Sequence, residues 1–217
     1  MLKIEKKQIA FNRVVRTDEI KYIVIHDTAN KSKGANADSH FKYFNGGNRN
    51  SSADFFVDDT KVLQVNDYTR FCTWQVGDGK GKYGITNQNS IGVEICINAD
   101  GDYEKAFSNA IELTKFLMKK LDIPAERVVR HYDASRKKCP ASMSDENWLL
   151  WQEFKERIME KKFKDIKGHF AEKTIEELFS MGVVNGVDDD SFAPEKVATR
   201  GELAVVARNI IRYITGE

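Results

Sequence analysis

The sequence predicts an α/β domain followed by a small helical unit, and three observations carry that reading. Two runs, Ile20 to His26 and Ser90 to Ile97, are so rich in β-branched and apolar residues that they suit buried strands of a sheet. Other stretches place apolar residues at helical spacing, the longest from Asp102 to Leu121. From Asp165 onward the pattern changes to two helices around a polar loop, and the charge changes sign. Residues 164–217 hold 7 Lys/Arg against 10 Asp/Glu, and the rest of the chain holds 27 against 23.

The elements follow in order. His26 stands at the carboxyl end of the first strand. Ala37, Phe41 and Phe44 fall on one face of a short helix closed by Gly46-Gly47, and the Asn/Ser-rich stretch from Asn48 to Ser52 is a loop. Asp54 to Val57 and Val62 to Val65 flank a turn-forming Asp58-Asp59-Thr60-Lys61 and predict a hairpin, after which Gly77 to Gly84 is a glycine-rich loop. In Ser90 to Ile97 the period of two puts Glu94 and Cys96 on one face and Val93, Ile95 and Ile97 on the other, so a carboxylate sits inside an apolar run. The helix to Leu121 buries Ala106, Ala110, Leu113 and Leu117 and carries Lys119 and Lys120 where they complement its dipole. Val128 to His131 is a short strand. Ser144 with Asp145 and Glu146 starts a helix buried through Trp148, Trp151, Phe154 and Ile158, and the first domain ends in Lys161-Lys162-Phe163-Lys164.

Composition bounds the function. With 41% hydrophobic and 31% charged residues the 217-residue chain is globular, with room for one good-sized domain and a small second one. Lys+Arg at 34 and Asp+Glu at 33 nearly cancel, so no global field marks a nucleic-acid binder and recognition lies in a local site. The amino terminus has positive charge but no apolar run of about seven residues, so the expectation is a protein made in the cytoplasm without a signal peptide. No run approaches the roughly 18 apolar residues of a spanning helix, so no membrane insertion is expected. Cys72, Cys96 and Cys139 are too few for a disulfide framework and are core thiols or metal ligands.

His26, His131 and Cys139 supply two imidazoles and a thiolate, the ligand types of an open zinc site, whose fourth position is left for water. Cys72 or Cys96 is an alternative to Cys139. Cys139 is preferred because the positive charge of Lys137 and Lys138 favours thiolate and Pro140 stiffens its loop, whereas the other two lie in apolar surroundings.

Tyr22-Ile23-Val24-Ile25-His26-Asp27-Thr28, Asn89-Ser90-Ile91-Gly92-Val93-Glu94, and His131-Tyr132-Asp133 leading to Lys137-Lys138-Cys139-Pro140, resemble in that order the zinc-dependent type 2 N-acetylmuramoyl-L-alanine amidases. That family includes phage endolysins and peptidoglycan recognition proteins. The resemblance covers residues 18–158 and implies a mixed central β-sheet flanked by helices, with Zn²⁺ held by His26, His131 and Cys139. It further implies hydrolysis of the amide between muramic acid and L-alanine, with Glu94 as general base and Lys137 as the cation that stabilises the oxyanion. The plainer readings are a buried salt bridge for Glu94 and a solvated charge for Lys137. Ala53 and Asp54 stand where many relatives have an aromatic residue and then His, and Gln75 where many have His. Neither change touches a zinc ligand, and both are expected to narrow the substrate range or lower the rate. Asp27 and Asp133 are either carboxylates that orient the ligands or turn residues.

The stretch Phe163 to Ala171, Gly182 to Gly186 and Thr199 to Glu202 resembles one S-layer homology repeat, a family that binds secondary polymers of Gram-positive cell walls. Phe170 and Gly201 depart from its usual Trp and Ala. Ile175, Leu178 and Phe179 form the inner face of one helix, Gly182 is its left-handed stop, and Thr199 with Glu202 caps the next. Asp188-Asp189-Asp190 is a solvated loop. The two resemblances divide the chain into an amidase domain, residues 1–160, and a wall-binding domain, residues 161–217. The expected protein is an endolysin or autolysin, of phage or prophage origin, that acts at the wall after release. Its expected partners are peptidoglycan and a secondary cell-wall polymer, with no nucleic acid, and the lone repeat is expected to form homo-oligomers, as trimers. The alternatives are a non-catalytic peptidoglycan-binding protein and a structural surface-layer component.

Overall fold

Strand pairing in the first part of the chain brings the carboxyl ends of three parallel strands to one edge. The computed structural model describes residues 3–159, 163–188 and 190–215; Lys161 and Lys162 of the basic stretch, the expected boundary between residues 160 and 161, and Asp189 lie outside them. The chain divides into two units, Met1–Ile158 and Met159–Glu217. The first contains β1 (Ile4–Lys6), β2 (Arg13–Val15), β3 (Tyr22–Asp27), α1 (Ala37–Asn45), β4 (Phe55–Val57), β5 (Val62–Gln64), β6 (Phe71–Thr73), β7 (Ser90–Ile95), α2 (Tyr103–Leu121), β8 (Val128–Arg130), α3 (His131–Ser135) and α4 (Leu149–Met159).

Six strands form a mixed sheet in the order β1-β5-β4-β7-β3-β8, parallel except for the β4–β5 hairpin, and β2 pairs with β6 in a separate antiparallel ribbon. Because β3 and β7 lie inside the sheet, Ile23, Val24, Ile25, Ile91, Val93 and Ile95 are all inaccessible to solvent, as their β-branched composition requires. Helices flank the sheet. Asn36 caps α1, its side chain accepting from the Ser39 amide, and Ala37, Phe41 and Phe44 pack on Phe56, Leu63 and Cys96. Asp102 caps α2 in the same way, and α2 buries Ala106, Phe107, Ala110, Leu113 and Leu117, with Phe107 edge-on to Phe154 of α4. Each large side chain so buried is worth about 1.5–3 kcal/mol.

Three local outcomes differ from the sequence reading. The three-residue strands β1, β2 and β6 were not expected, since runs this short carry no readable alternation and are defined by their partners. His131 opens α3 rather than ending a strand. The helix expected from Ser144 begins only at Leu149, because Glu146, Asn147 and Trp148 all adopt left-handed backbone conformations, and Trp148 stacks near Tyr132 instead of lying in the helix.

In the second unit a turn at Lys164–Ile166 leads to α5 (Glu172–Ser180) and α6 (Arg200–Thr215). Phe163, Ile166 and Ile175 form its small core, with Ala171, Phe179 and Phe192 against them, and Gly182 ends α5 at φ 69°. Glu202 accepts from the Thr199 amide at 2.7 Å while the Thr199 hydroxyl accepts from the Glu202 amide at 3.2 Å, the reciprocal cap anticipated from sequence. Asp188 and Asp190 serve the intervening loop: Asp188 accepts from the Asp190 amide, and Asp190 pairs with Lys164.

Asp54, at the start of β4, is wholly buried and holds three segments together. Its carboxylate accepts from Asn66 Nδ2 at 2.7 Å, from the Thr73 hydroxyl at 3.0 Å and from the Gly92 amide at 2.8 Å. Burial raises its pKa, and the Gly92 and Asn66 bonds, the Arg16 charge and the Thr73 bond pull the other way. Asp54→Ala strands three buried donors, so it is expected to lower stability by roughly 2–5 kcal/mol. Chemical denaturation followed by tryptophan fluorescence measures this, and a midpoint equal to the parent's would show that the donors find other partners.

Candidate metal centre

The site begins with β3. Its last two residues are His26 and Asp27, and the parallel register sets His26 directly beside Glu94 of β7, on the same face. His26 is 2% exposed and the Glu94 side chain 20%, with His26 Nδ1 3.9 Å from Glu94 Oε1. β8 delivers the third group. Its chain turns into α3 at His131 because the Asp133 carboxylate accepts from the Arg130 amide at 2.9 Å and from the Arg130 guanidinium at 3.0 and 2.7 Å, a cap that fixes the first turn. Cys139 lies on the loop after α3, and its carbonyl accepts from the Tyr132 amide at 3.0 Å. The Asp27 carboxylate accepts from the Ser142 amide at 2.6 Å, so β3 itself closes this loop.

His26, His131 and Cys139 are all buried, and one ligand atom from each lies within 4.8 Å of the others. The two imidazoles meet edge to face with centroids 4.7 Å apart, and Cys139 Sγ is 3.7 Å from His26 Nδ1. Both rings use Nε2 elsewhere: His26 Nε2 is 2.9 Å from Gln75 Oε1, and His131 Nε2 is 2.8 Å from Asp78 Oδ1. His131 Nδ1 is left buried without a hydrogen-bond partner, as is Glu94 Oε2. An orphaned imidazole nitrogen beside a second imidazole and a thiol fits a bound cation of zinc's ligand preference.

Burial governs the protonation states. It lowers His26 to about 3, with the charges of His131 and Lys137 adding to the effect and the Gln75 bond opposing it, so the ring is neutral. Burial likewise lowers His131, against the bond and charge of Asp78. Burial pushes Asp78 up, but His131, the Ser135 bond and the Lys137 charge together outweigh it, and its carboxyl lies below the usual range. Burial raises Glu94 to about 8, Asp27 adding and Lys137 opposing. The Cys139 thiol rises to about 12 through burial and the neighbouring Glu94 charge. The Lys137 charge does pull towards thiolate, as expected, but it is the last of the influences on Cys139 and burial outweighs it, so deprotonation needs a cation at the sulfur.

Lys137 is exposed, and its charge reaches His26, His131, Glu94 and Cys139. Cys72 and Cys96 are buried and do not belong to the His26–His131–Cys139 cluster, Cys96 lying in the core with Ala53, Phe56 and Leu63. Asp27 and Asp133 touch neither imidazole; they fix the loop and the helix that carry Cys139 and His131. The carboxylate on His131 is Asp78, which sequence reasoning missed, although Trp74-Gln75-Val76-Gly77-Asp78-Gly79 was the signal. Gly79 makes its placement feasible, since a Cβ there would lie 2.2 Å from the Ala134 carbonyl of α3. The Gln75 departure, expected to leave the proposed ligands untouched, instead bears directly on one of them, because its amide meets His26.

The model for the N-acetylmuramoyl-L-alanine amidase family matches residues 16–142, and that for the S-layer homology domain matches residues 162–204. N-acetylmuramoyl-L-alanine amidase CwlH of Bacillus subtilis (strain 168) is 46% identical over 124 residues, which cover 57% of this chain and 48% of that protein. XlyA of the same organism is 41% identical over 140 residues, covering 63% and 43%. The chain thus spans less than half the length of these relatives. Among solved structures, the catalytic domain of XlyA aligns with a TM-score of 0.65 at 38% identity, covering 72% of this chain and 99% of that one. PlyL aligns at 0.63 and 31%, covering 72% and 97%.

Proposed function

Since the chain belongs to the N-acetylmuramoyl-L-alanine amidase family, we propose that residues 1–160 hydrolyse the amide joining N-acetylmuramic acid to L-alanine in bacterial peptidoglycan, using Zn²⁺ held by His26, His131 and Cys139. Residues 161–217 form a single S-layer homology repeat that attaches the protein to a secondary cell-wall polymer, and the whole acts at the wall as an endolysin or autolysin. No described helix is long and apolar enough to cross a membrane. The observation that carries the reading is the convergence of two imidazoles and a thiol beside a partly exposed carboxylate.

Zinc, when bound, supplies a Lewis acid for the scissile carbonyl and a water pKa lowered to about 7. The remaining work falls to the protein's own groups. Glu94 lies next to His26 in register and has an oxygen with no hydrogen-bond partner; in its carboxylate form, which a cation in the site would favour, it takes a proton from the attacking water and returns it to the alanine nitrogen as the C–N bond breaks. Lys137 brings positive charge to the same place and stabilises the oxyanion that develops on the carbonyl. Ala53 and Asp54 take no part, being packed in the core and bonded among β4, β6 and β7. A non-catalytic peptidoglycan binder is the competing reading, and the cysteine ligand argues against it.

The second unit supports a further element of the proposal, self-association as a trimer. Among the described residues of α6 none is buried, and Leu203, Ile210, Ile211 and Ile214 are exposed together along it. Association covers them and multiplies weak wall contacts.

Three outcomes are expected. Chelation abolishes clearing of purified cell walls and one equivalent of Zn²⁺ restores it; full clearing by rigorously metal-free protein rules out the zinc mechanism. Glu94→Ala keeps its zinc and its fold but loses a factor of about 10² or more in rate, with mass spectrometry of released fragments confirming the bond cut. Unchanged turnover in that variant transfers the role of base to another group. Light scattering gives trimers for the full chain, and a monodisperse monomer at micromolar concentration refutes self-association.

A further inference from the structure

We propose that Gln75, its amide oriented by Ser90, fixes His26 as the tautomer protonated on Nε2 and thereby presents the Nδ1 lone pair to the metal. The inference deepens the zinc reading above and rests on it. The chain of bonds has one direction. The Ser90 hydroxyl donates its single proton to the Thr86 carbonyl, so towards Gln75 Nε2, 3.1 Å away, it can only accept. The amide's NH₂ group therefore faces Ser90 and its oxygen faces His26 Nε2 at 2.9 Å. An amide oxygen has no proton to give, so the imidazole donates from Nε2, and the other nitrogen of a neutral ring is bare. That nitrogen is Nδ1, the atom 3.7 Å from Cys139 Sγ.

The surroundings are built for this contact. The side chain of Asn87 accepts from the backbone amides of Gln75 at 3.0 Å and Val76 at 2.8 Å, which pins the segment. Gln75 is 8% exposed and lies over Gly92, where a Cβ would come within 2.3 Å of its amide oxygen and 3.3 Å of its own Cβ. Ser90, Gly92 and Glu94 are alternate residues on one face of β7. One strand face thus supplies the anchor for the amide, the space it occupies and the proposed base. Where His131 leans on a carboxylate, His26 leans on a neutral amide, which sets the tautomer without burying a charge beside the ring.

The test uses the full chain labelled with ¹⁵N. Long-range ¹H–¹⁵N spectra of the metal-free protein read the His26 tautomer, and competition with a chromophoric chelator reads zinc affinity. The parent is expected to show His26 protonated on Nε2. Gln75→Met, of similar volume but without a comparable acceptor, is expected to lose the tautomer preference and bind zinc about 10–100-fold more weakly. Gly92→Ala, which displaces the amide, should fall in the same range. Gln75→Glu, which keeps an acceptor against Nε2 but loses the bond to Ser90, should retain the tautomer and bind zinc with an affinity between those of the parent and Gln75→Met. A parent protonated on Nδ1, or Gln75→Met binding zinc as tightly as the parent, overturns the proposal. If Gln75→Met does not fold, the parent spectrum and the Gln75→Glu and Gly92→Ala affinities still decide. Failure of the parent to take up zinc refutes the zinc reading instead, and the metal-free spectrum then judges the tautomer separately.

Discussion

The parallel pairing of β3 with β7 is the constraint on which the rest depends. It aligns Tyr22 with Ser90, Val24 with Gly92 and His26 with Glu94, so a proposed ligand and the proposed base share one face without any loop to position them. Because side chains alternate, a slip of one residue would send His26 and Glu94 to opposite faces and put Ile25 or Val93 in the site. The buried aliphatic residues of both strands resist that slip, since each would have to repack against the opposite layer of a close-packed interior. The hydrophobic pattern that makes the sheet therefore also sets the geometry of the chemistry. β4 extends the arrangement, pairing Phe56 with Glu94 and tying Asp54 to the Gly92 amide.

Desolvation, more than any single charge, decides the state of the groups at this edge. It holds both imidazoles neutral, as ligands must be, and it holds the Cys139 thiol protonated, as a ligand must not be. Filling the site with a cation would therefore release a proton from the sulfur, which couples metal binding to pH. Lys137 acts in the direction expected from its charge at every one of these groups, yet its exposure leaves it weaker than burial at each.

Much of this was legible in the sequence because the informative features are local or periodic. The buried strands with His26 and Glu94, the helix to Leu121 and the Thr199–Glu202 cap follow from alternation, helical spacing and capping chemistry. The start of α4 was not legible, since a run of left-handed residues at 146–148 overrides a good capping sequence. Nor were β1, β2 and β6, which exist through pairing with residues up to about sixty positions away. The roles of Gln75 and Asp78 were hidden for the same reason. Each belongs to a loop whose packing against β7 and α3 brings it to an imidazole 49 or 53 residues distant, so its residue type alone pointed nowhere. Asp27 and Asp133 were near the ligands in sequence and drew attention for that, but their bonds go to backbone and to Arg130.

The placement at strand ends also explains how a site can be both preorganised and assembled from four segments. In open sheets with parallel strands, the carboxyl ends form a common edge from which loops depart, and sites gather there. β3 and β7 bring His26 and Glu94 to that edge, and β8 hands His131 to the first turn of α3. Cys139 alone comes from a loop, and it is the group whose position most needs fastening. The fastening is supplied twice, by the Tyr132 amide on the Cys139 carbonyl and by Asp27 on the Ser142 amide. Since Asp27 follows His26 directly, the strand that supplies His26 also fixes the loop of Cys139, and displacement of β3 would loosen both together. The two orienting partners, Gln75 and Asp78, occupy one turn of chain between β6 and β7, so that turn adjusts both imidazoles as a unit. Variation there can tune the proposed metal centre while leaving the two imidazoles and the thiol untouched.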